Sequence, residues 1–104
     1  MTETPGTPPR EQRKHPRYPV MWSGTLSSDS AFDLYVLDCR ISNFSISGVH
    51  VLVERTLVAG RPVTLDIRGV GAFKGRIAWA DGDRIGVAFD DAPDHVAALT
   101  RDKL

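Results

Sequence analysis

Short runs in which apolar and polar residues alternate one by one are the feature that most constrains this chain's fold. Successive side chains of an extended strand point to opposite faces, so this alternation is typical of strands with one buried side. Six runs predict strands, at 20–26, 32–41, 49–53, 63–67, 73–79 and 85–89. Turn-forming residues separate them. They include 27–30 and Asp81-Gly82-Asp83, which is typical of a tight hairpin because glycine tolerates positive φ.

The C-terminal segment has a different pattern. Asp91 is in a position to cap a helix, Pro93 suits its first turn, and Asp94 is the acidic residue three positions after the cap. Val96 and Leu99 would then share one helical face. Six strands followed by one short helix predict an all-β fold, a small antiparallel β-barrel or sandwich with a C-terminal helix.

The first residues show neither pattern. Residues 1–9 are polar and offer almost nothing to bury, which predicts a disordered tail. Residues 10–19 contain Pro16 and Pro19 without an apolar period, which predicts a flexible, extended arm. We therefore expect one domain over 10–104 that includes this arm. Residues 10–17 carry a net charge of +3, whereas residues 20–104 have nine basic and eleven acidic side chains.

Charge and composition exclude several classes of protein. The formal net charge is zero, so a general affinity for a nucleic acid polymer or an acidic membrane is not expected. No apolar run is long enough to cross a membrane, and the N-terminus lacks the pattern of a secretory signal. A cytoplasmic location is therefore expected. Cys39 is the single cysteine, so no internal disulfide forms, and its apolar surroundings predict a buried, inert thiol.

Residues that could support catalysis are scattered. His15, His50 and His95 lie on different predicted elements, without the spacing of a metal site. The aspartates after position 80 fall at turns and at the helix start, where turn and cap chemistry explains them. Gly69 and Gly71 belong to a turn with no helix after it, so they do not form a phosphate-binding loop. The sequence predicts neither an enzyme nor a bound cofactor or metal.

Arg13 and Arg17 are the first candidate binding residues. A guanidinium presents a planar fork that fits phosphate oxygens and the O6/N7 edge of guanine, and it stacks on a base. Two such groups on an extended arm can close around a ligand. A solvated basic tail would show the same residues.

A second candidate segment follows the predicted second strand. Asn43 and Ser45 alternate, so in an extended backbone both point the same way. Gly48 then permits a sharp return or a bulge into the next strand. A polar turn without a function would look similar.

Together the two segments resemble the PilZ domain family, whose signatures are RxxxR and [D/N]xSxxG. They stand here as Arg13…Arg17 and Asn43-x-Ser45-x-x-Gly48. The likeness continues through 57–65, and through 75–79 followed by 85–89, so that it covers about residues 10–94. It implies a six-stranded antiparallel β-barrel with a C-terminal helix and a flexible N-terminal arm. It also implies a bacterial receptor for the second messenger cyclic di-GMP, bound as one molecule or as an intercalated pair.

The resemblance assigns roles residue by residue. Arg13 and Arg17 would contact phosphates and guanine edges, Asn43 and Ser45 would hydrogen-bond the ligand, and Gly48 would let it approach the barrel. Gln12 stands where many members carry a further arginine, with Lys14 nearby, and both are candidate contacts.

Trp79 has two interpretations. It is in phase with Phe73 and Ile77, which favours the core. As an outward residue it would instead offer an indole on which guanine could stack. Trp22 is expected in the core.

Three functions follow as hypotheses. The first is a cyclic di-GMP receptor whose arm becomes ordered on binding and signals to an unidentified protein partner. The second is a protein-interaction adaptor of the same fold with weak or no nucleotide binding. The third is a single-stranded RNA-binding barrel, which the low aromatic content and neutral charge disfavour.

Overall fold

The structure, a computed structural model, describes residues 17–31 and 34–103. In this part of the chain the strands are β1 (Tyr18–Ser28), β2 (Val36–Ser45), β3 (Gly48–Val53), β4 (Pro62–Ile67), β5 (Gly71–Asp81) and β6 (Arg84–Phe89). Helix α1 (Pro93–Thr100) follows, and a 3-10 turn at Arg101–Lys103 ends the described chain.

The strands close into a barrel in the order β1-β2-β3-β6-β5-β4. Every neighbouring pair is antiparallel. Closure pairs both edges of the sheet, so no long strand edge is left exposed. This confirms the predicted six-stranded barrel with a short C-terminal helix.

Inward-facing residues of all six strands fill the barrel. On β4 the alternation is complete, because Val63, Leu65 and Ile67 are buried while Pro62 and Asp66 are exposed. From α1, Val96 is buried in the same core and Leu99 packs against it, which confirms their shared face. The largest buried side chains are Phe44, Phe73, Leu26, Ile41, Leu65, Ile67, Ile77 and Ile85.

The predicted bounds of the first two strands were wrong. Ser27 and Ser28, predicted as a turn, belong to β1, because Ser27 pairs with Val36 and the Ser28 amide donates to the Tyr35 carbonyl over 3.0 Å. Strand β2 begins at Val36 and extends to Ser45, whereas 32–41 was predicted. Its predicted start, Phe32, lies outside the described residues. Alternation alone could not show that β2 continues to pair beyond the bulge between Ile41 and Asn43.

The prediction that Asp91 caps the helix was also wrong. Ala92 is the N-cap residue, and no side chain among the described residues caps the helix by a hydrogen bond. The helix begins at Pro93, so Asp91 precedes the cap by one residue. Its carboxylate instead lies 3.9 Å from the imidazole Nε2 of His95. Pro93 in the first turn is confirmed.

Cys39 is buried in the barrel, as expected. Desolvation, followed by the nearby Asp38 carboxylate, raises the pKa of its thiol to about 11. Because the thiolate is the reactive form, Cys39 is inert at neutral pH.

Candidate functional site

Within the residues that the structure describes, the strand register shifts at three places: between Pro19 and Trp22 in β1, between Ile41 and Asn43 in β2, and between Ile77 and Trp79 in β5. An extra residue in one strand of a pair turns every later side chain to the opposite face. Bulges of this kind commonly re-aim side chains beside functional sites.

The three irregularities adjoin one line of paired residues across the outside of the barrel. Pro19 pairs with Asn43, Asn43 with His50, His50 with Gly86, and Gly86 with Trp79. We call these five residues the cross-strand row. It runs over β1, β2, β3, β6 and β5, so residues far apart in sequence lie side by side.

Arg17 joins the row beside Asn43. Its guanidinium Nη1 donates to the Asn43 Oδ1 over 3.4 Å, and Arg17 is half-buried. A guanidinium in this position can face phosphate or the acceptor edge of a base. Arg17 and Asn43, which stand 26 positions apart in the sequence, are therefore brought together by the fold.

Trp79 ends the row, and the preference for a core position was wrong. Pairing passes from Ile77 with Val87 directly to Trp79 with Gly86, so Ala78 is the extra residue. Beyond this bulge Ala80 packs against the core, and Trp79 is 40% exposed. The alternative interpretation, an outward indole, is the one observed.

The indole is held by two neighbours in the row. A Cβ added to Gly86 would collide with the pyrrole ring, meeting Nε1 first, then Cε2 at 2.6 Å and Cδ1 at 2.9 Å. The ring therefore lies directly over Gly86, where only glycine leaves room. The imidazole of His50 meets the indole at an interplanar angle of 80°, with ring centroids 5.4 Å apart.

A shallow groove of about 260 Å³ on the outside of the barrel is lined by Arg17 and by three residues of the row, His50, Gly86 and Trp79. Several of the side chains that line it are small, among them Ala78, Ala88 and Ser47. The groove is polar and cationic at the Arg17 end and aromatic at the Trp79 end. Its lining is Arg17, Ser47, Gly48, Val49, His50, Ala78, Trp79, Gly86, Val87 and Ala88.

Ser45 and Gly48 shape the turn beside the groove. Ser45 is 1% exposed, and its Oγ lies 3.0 Å from the Ser47 Oγ and accepts from the Ser47 amide over 3.3 Å. A Cβ at Gly48 would collide with the carbonyl oxygen of Val87, so glycine is required where β3 meets β6. Direct ligand contact by Ser45 stays a prediction.

Three predicted contacts, Gln12, Arg13 and Lys14, lie outside the described residues, as do the predicted tail 1–9 and most of the arm. Their roles stay predictions. Trp22, expected in the core, is half-buried and packs against Phe44 with ring centroids 5.3 Å apart.

No sequence pattern indicated a functional role for His50 or Gly86. The outward direction of His50 could be read from the flanking Val49 and Val51. Its neighbours could not, because they depend on the pairing of β3 with β6 and on the bulges of β2 and β5.

Over 17–31 and 34–103, no three His, Cys, Asp or Glu side chains are grouped so that they could hold a metal ion. No helix within these same ranges has the length and apolar character needed to cross a membrane.

Comparison with known proteins gives a consistent result. Residues 11–102 match the family model of the PilZ domain. No match was found among curated proteins. Among solved structures, the PilZ domain of YcgR from Escherichia coli, determined with c-di-GMP, is similar in fold, with a TM-score of 0.60 and 17% identity, covering 88% of each chain. Since the family model spans most of the sequence, this chain belongs to the PilZ domain family.

Proposed function

We propose that this chain is a bacterial, cytoplasmic receptor for cyclic di-GMP, and not an enzyme. The ligand binds the groove along the cross-strand row, and the N-terminal arm closes over it. The observation that carries this proposal is the row together with Arg17. One barrel face thereby presents a guanidinium at one end and an exposed indole at the other. The neighbour of similar fold was determined with the same ligand.

The Arg17 end suits the charged part of the ligand. Cyclic di-GMP has two anionic phosphates and two guanine bases, whose O6 and N7 atoms are acceptors. Arg17 and Asn43 together offer guanidinium and amide groups within one cluster. Charge-assisted hydrogen bonds of this kind are about twice as strong as neutral ones.

The Trp79 end suits a base. Gly86 lies against the pyrrole ring of the indole, and Trp79 is 40% exposed. A guanine stacked there would gain about 1–3 kcal/mol. Because the indole is already held in place, little ordering of this side chain is needed on binding.

The arm supplies the signal in this proposal. Arg10, Arg13, Lys14 and Arg17 repel one another when close, and a dianionic ligand removes that repulsion. We propose that the arm becomes ordered on binding, with Gln12, Arg13 and Lys14 near the ligand. A protein partner would then read the surface that arm, ligand and barrel form together. Amide exchange should show new protection at residues 10–19 and 43–48.

Titration calorimetry with cyclic di-GMP tests the receptor function, with single-stranded RNA and GTP as competing ligands. We expect a dissociation constant in the micromolar range or below, about −8 kcal/mol. Arg17→Ala should weaken binding by about 1.5–3 kcal/mol. The matched control is Arg68→Ala, in the exposed β4–β5 turn outside the groove, which should bind as the unaltered protein does.

The second candidate is an adaptor of the same fold with weak or no nucleotide binding. Leu34 and Val36, which are 75% and 73% exposed before and at the start of β2, favour it as an apolar contact surface. Absence of heat and of chemical-shift change at high protein concentration would reject the receptor and favour the adaptor.

A further inference from the structure

His50 has no place in the motifs that indicated the site, yet it occupies the centre of the cross-strand row. It pairs with Asn43 on one side and with Gly86 on the other. Its side chain is half-buried and lines the groove. Any ligand that spans from Arg17 to Trp79 therefore passes over His50.

The two rings in the groove form a corner. His50 and Trp79 stand on β3 and β5, which β6 separates, and neighbouring strands lie about 4.8 Å apart. Their ring centroids are nevertheless only 5.4 Å apart. The indole must therefore lean across Gly86 toward the imidazole. The angle of 80° sets the two rings nearly perpendicular to each other, and we call the indole the floor of this corner and the imidazole its wall.

A base fits this corner with its face stacked on the indole and its edge toward the imidazole. A purine stacked on the indole would direct one edge at the imidazole. A histidine ring donates from at least one nitrogen in either protonation state. Guanine presents two acceptors, N7 and O6, on its major-groove edge, whereas adenine presents N7 beside the N6 amino donor. A donor directed at position 6 of the purine therefore favours guanine, which has the O6 acceptor there, over adenine, which has an amino donor there.

We propose that His50 is the specificity-determining residue of this site and donates a hydrogen bond to O6 of the guanine stacked on Trp79. This inference rests on the proposed cyclic di-GMP function and adds base selection to it. Trp79 supplies stacking, which every base can use, and His50 supplies the choice between bases.

The experiment compares cyclic di-GMP with cyclic di-AMP as probes, on the unaltered chain, His50→Phe and His50→Gln. Phenylalanine keeps the aromatic wall without an N–H, and glutamine keeps an N–H donor without the ring. His50→Phe should lose about tenfold in affinity for cyclic di-GMP, the effect of one hydrogen bond, and little for cyclic di-AMP. His50→Gln should recover part of the preference. Thermal unfolding confirms that each variant is folded.

A measurement on the unaltered chain supports the same test. Nitrogen-15 spectra of the imidazole should show a shift of a His50 ring nitrogen with cyclic di-GMP and a smaller one with cyclic di-AMP. Equal losses for both probes in His50→Phe, or no loss, would overturn the specificity role while leaving the receptor intact. Failure of the unaltered chain to bind cyclic di-GMP would overturn the proposed function and this inference together.

Discussion

The barrel has a regular half, formed by β4 and the first part of β5, and a bulged half, which carries the three register shifts. An aromatic side chain of β5 is buried in the first half and exposed in the second. On β4 and the first part of β5, alternation is unbroken and Phe73 is buried at 1% exposure. Six positions along β5, past the bulge at Ala78, Trp79 points outward although it shares the odd-numbered phase of Phe73. Regular pairing builds the core, and a single extra residue transfers a large aromatic side chain from core to surface.

The largest effect is expected in the regular half. Phe73→Ala should lower the free energy of unfolding by about 3–5 kcal/mol, because it empties a fully packed position. The Phe73 ring also contacts Phe89, with ring centroids 5.0 Å apart. Urea unfolding followed by circular dichroism measures the change. A loss below about 1 kcal/mol, typical of a surface site, would contradict the placement of Phe73 in the core.

The corresponding change in the bulged half, at Trp79, should affect ligand binding more than stability. Trp79→Ala should weaken cyclic di-GMP binding by about 1–3 kcal/mol while the domain stays folded. Calorimetric titration and thermal melting on the same protein give both numbers. If the free energy of unfolding instead falls as far as in Phe73→Ala, Trp79 is a core residue and the two halves do not differ as described.

A third change separates the position of the indole from its presence. Gly86→Ala places a methyl group where the Trp79 pyrrole ring lies, so the indole must move. We expect affinity to fall by about 1 kcal/mol, part of the stacking contribution, with Trp79 itself retained. The fluorescence of Trp79 should change in the free protein as well. Binding equal to that of the unaltered chain would show that the position of the indole is unimportant.

A further effect, on stability rather than on binding, concerns Cys39 and pH. Its thiol pKa is raised from 9.0 to about 11 in the folded state. Between these values the unfolded chain releases the proton more readily, so stability should fall as pH rises from about 9 to about 11 and the effect should then level off. Cys39→Ala should lack this component of the pH dependence. Identical slopes for both proteins over this range would contradict the raised pKa.

The sequence predicted what depends on local pattern. Alternation located the strands, and the resemblance to the PilZ domain family singled out Arg17 and Asn43, which the structure brings within 3.4 Å. The meeting of His50, Gly86 and Trp79 could not be predicted, since it needs the partner order β3-β6-β5 and the register of each pair. A bulge adds a residue without a marked sequence signal. The alternation along β5 therefore favoured a core position for Trp79, which was wrong.

Gly24 and Gly86 show two uses of glycine within a strand. Gly24 lies on β1 beside β4, where a Cβ would collide with the Asp66 carbonyl of the neighbouring strand, so its role is close strand packing. Gly86 leaves room for a side chain instead, the indole of Trp79. Glycine in a strand pattern indicates close approach in both cases, but only the structure shows whether a backbone or a functional side chain approaches.

The most direct test of the central claim is a chemical-shift map of the backbone amides during titration with cyclic di-GMP. The cross-strand row and the groove predict that perturbations concentrate at Arg17, Asn43, 47–50, 78–79 and 86–88. The regular half, represented by 62–67 and 71–75, should barely change. Perturbations centred on Leu34 and Val36, spread evenly over the barrel, or absent at saturating ligand would contradict the claim that the bulged half is the binding face.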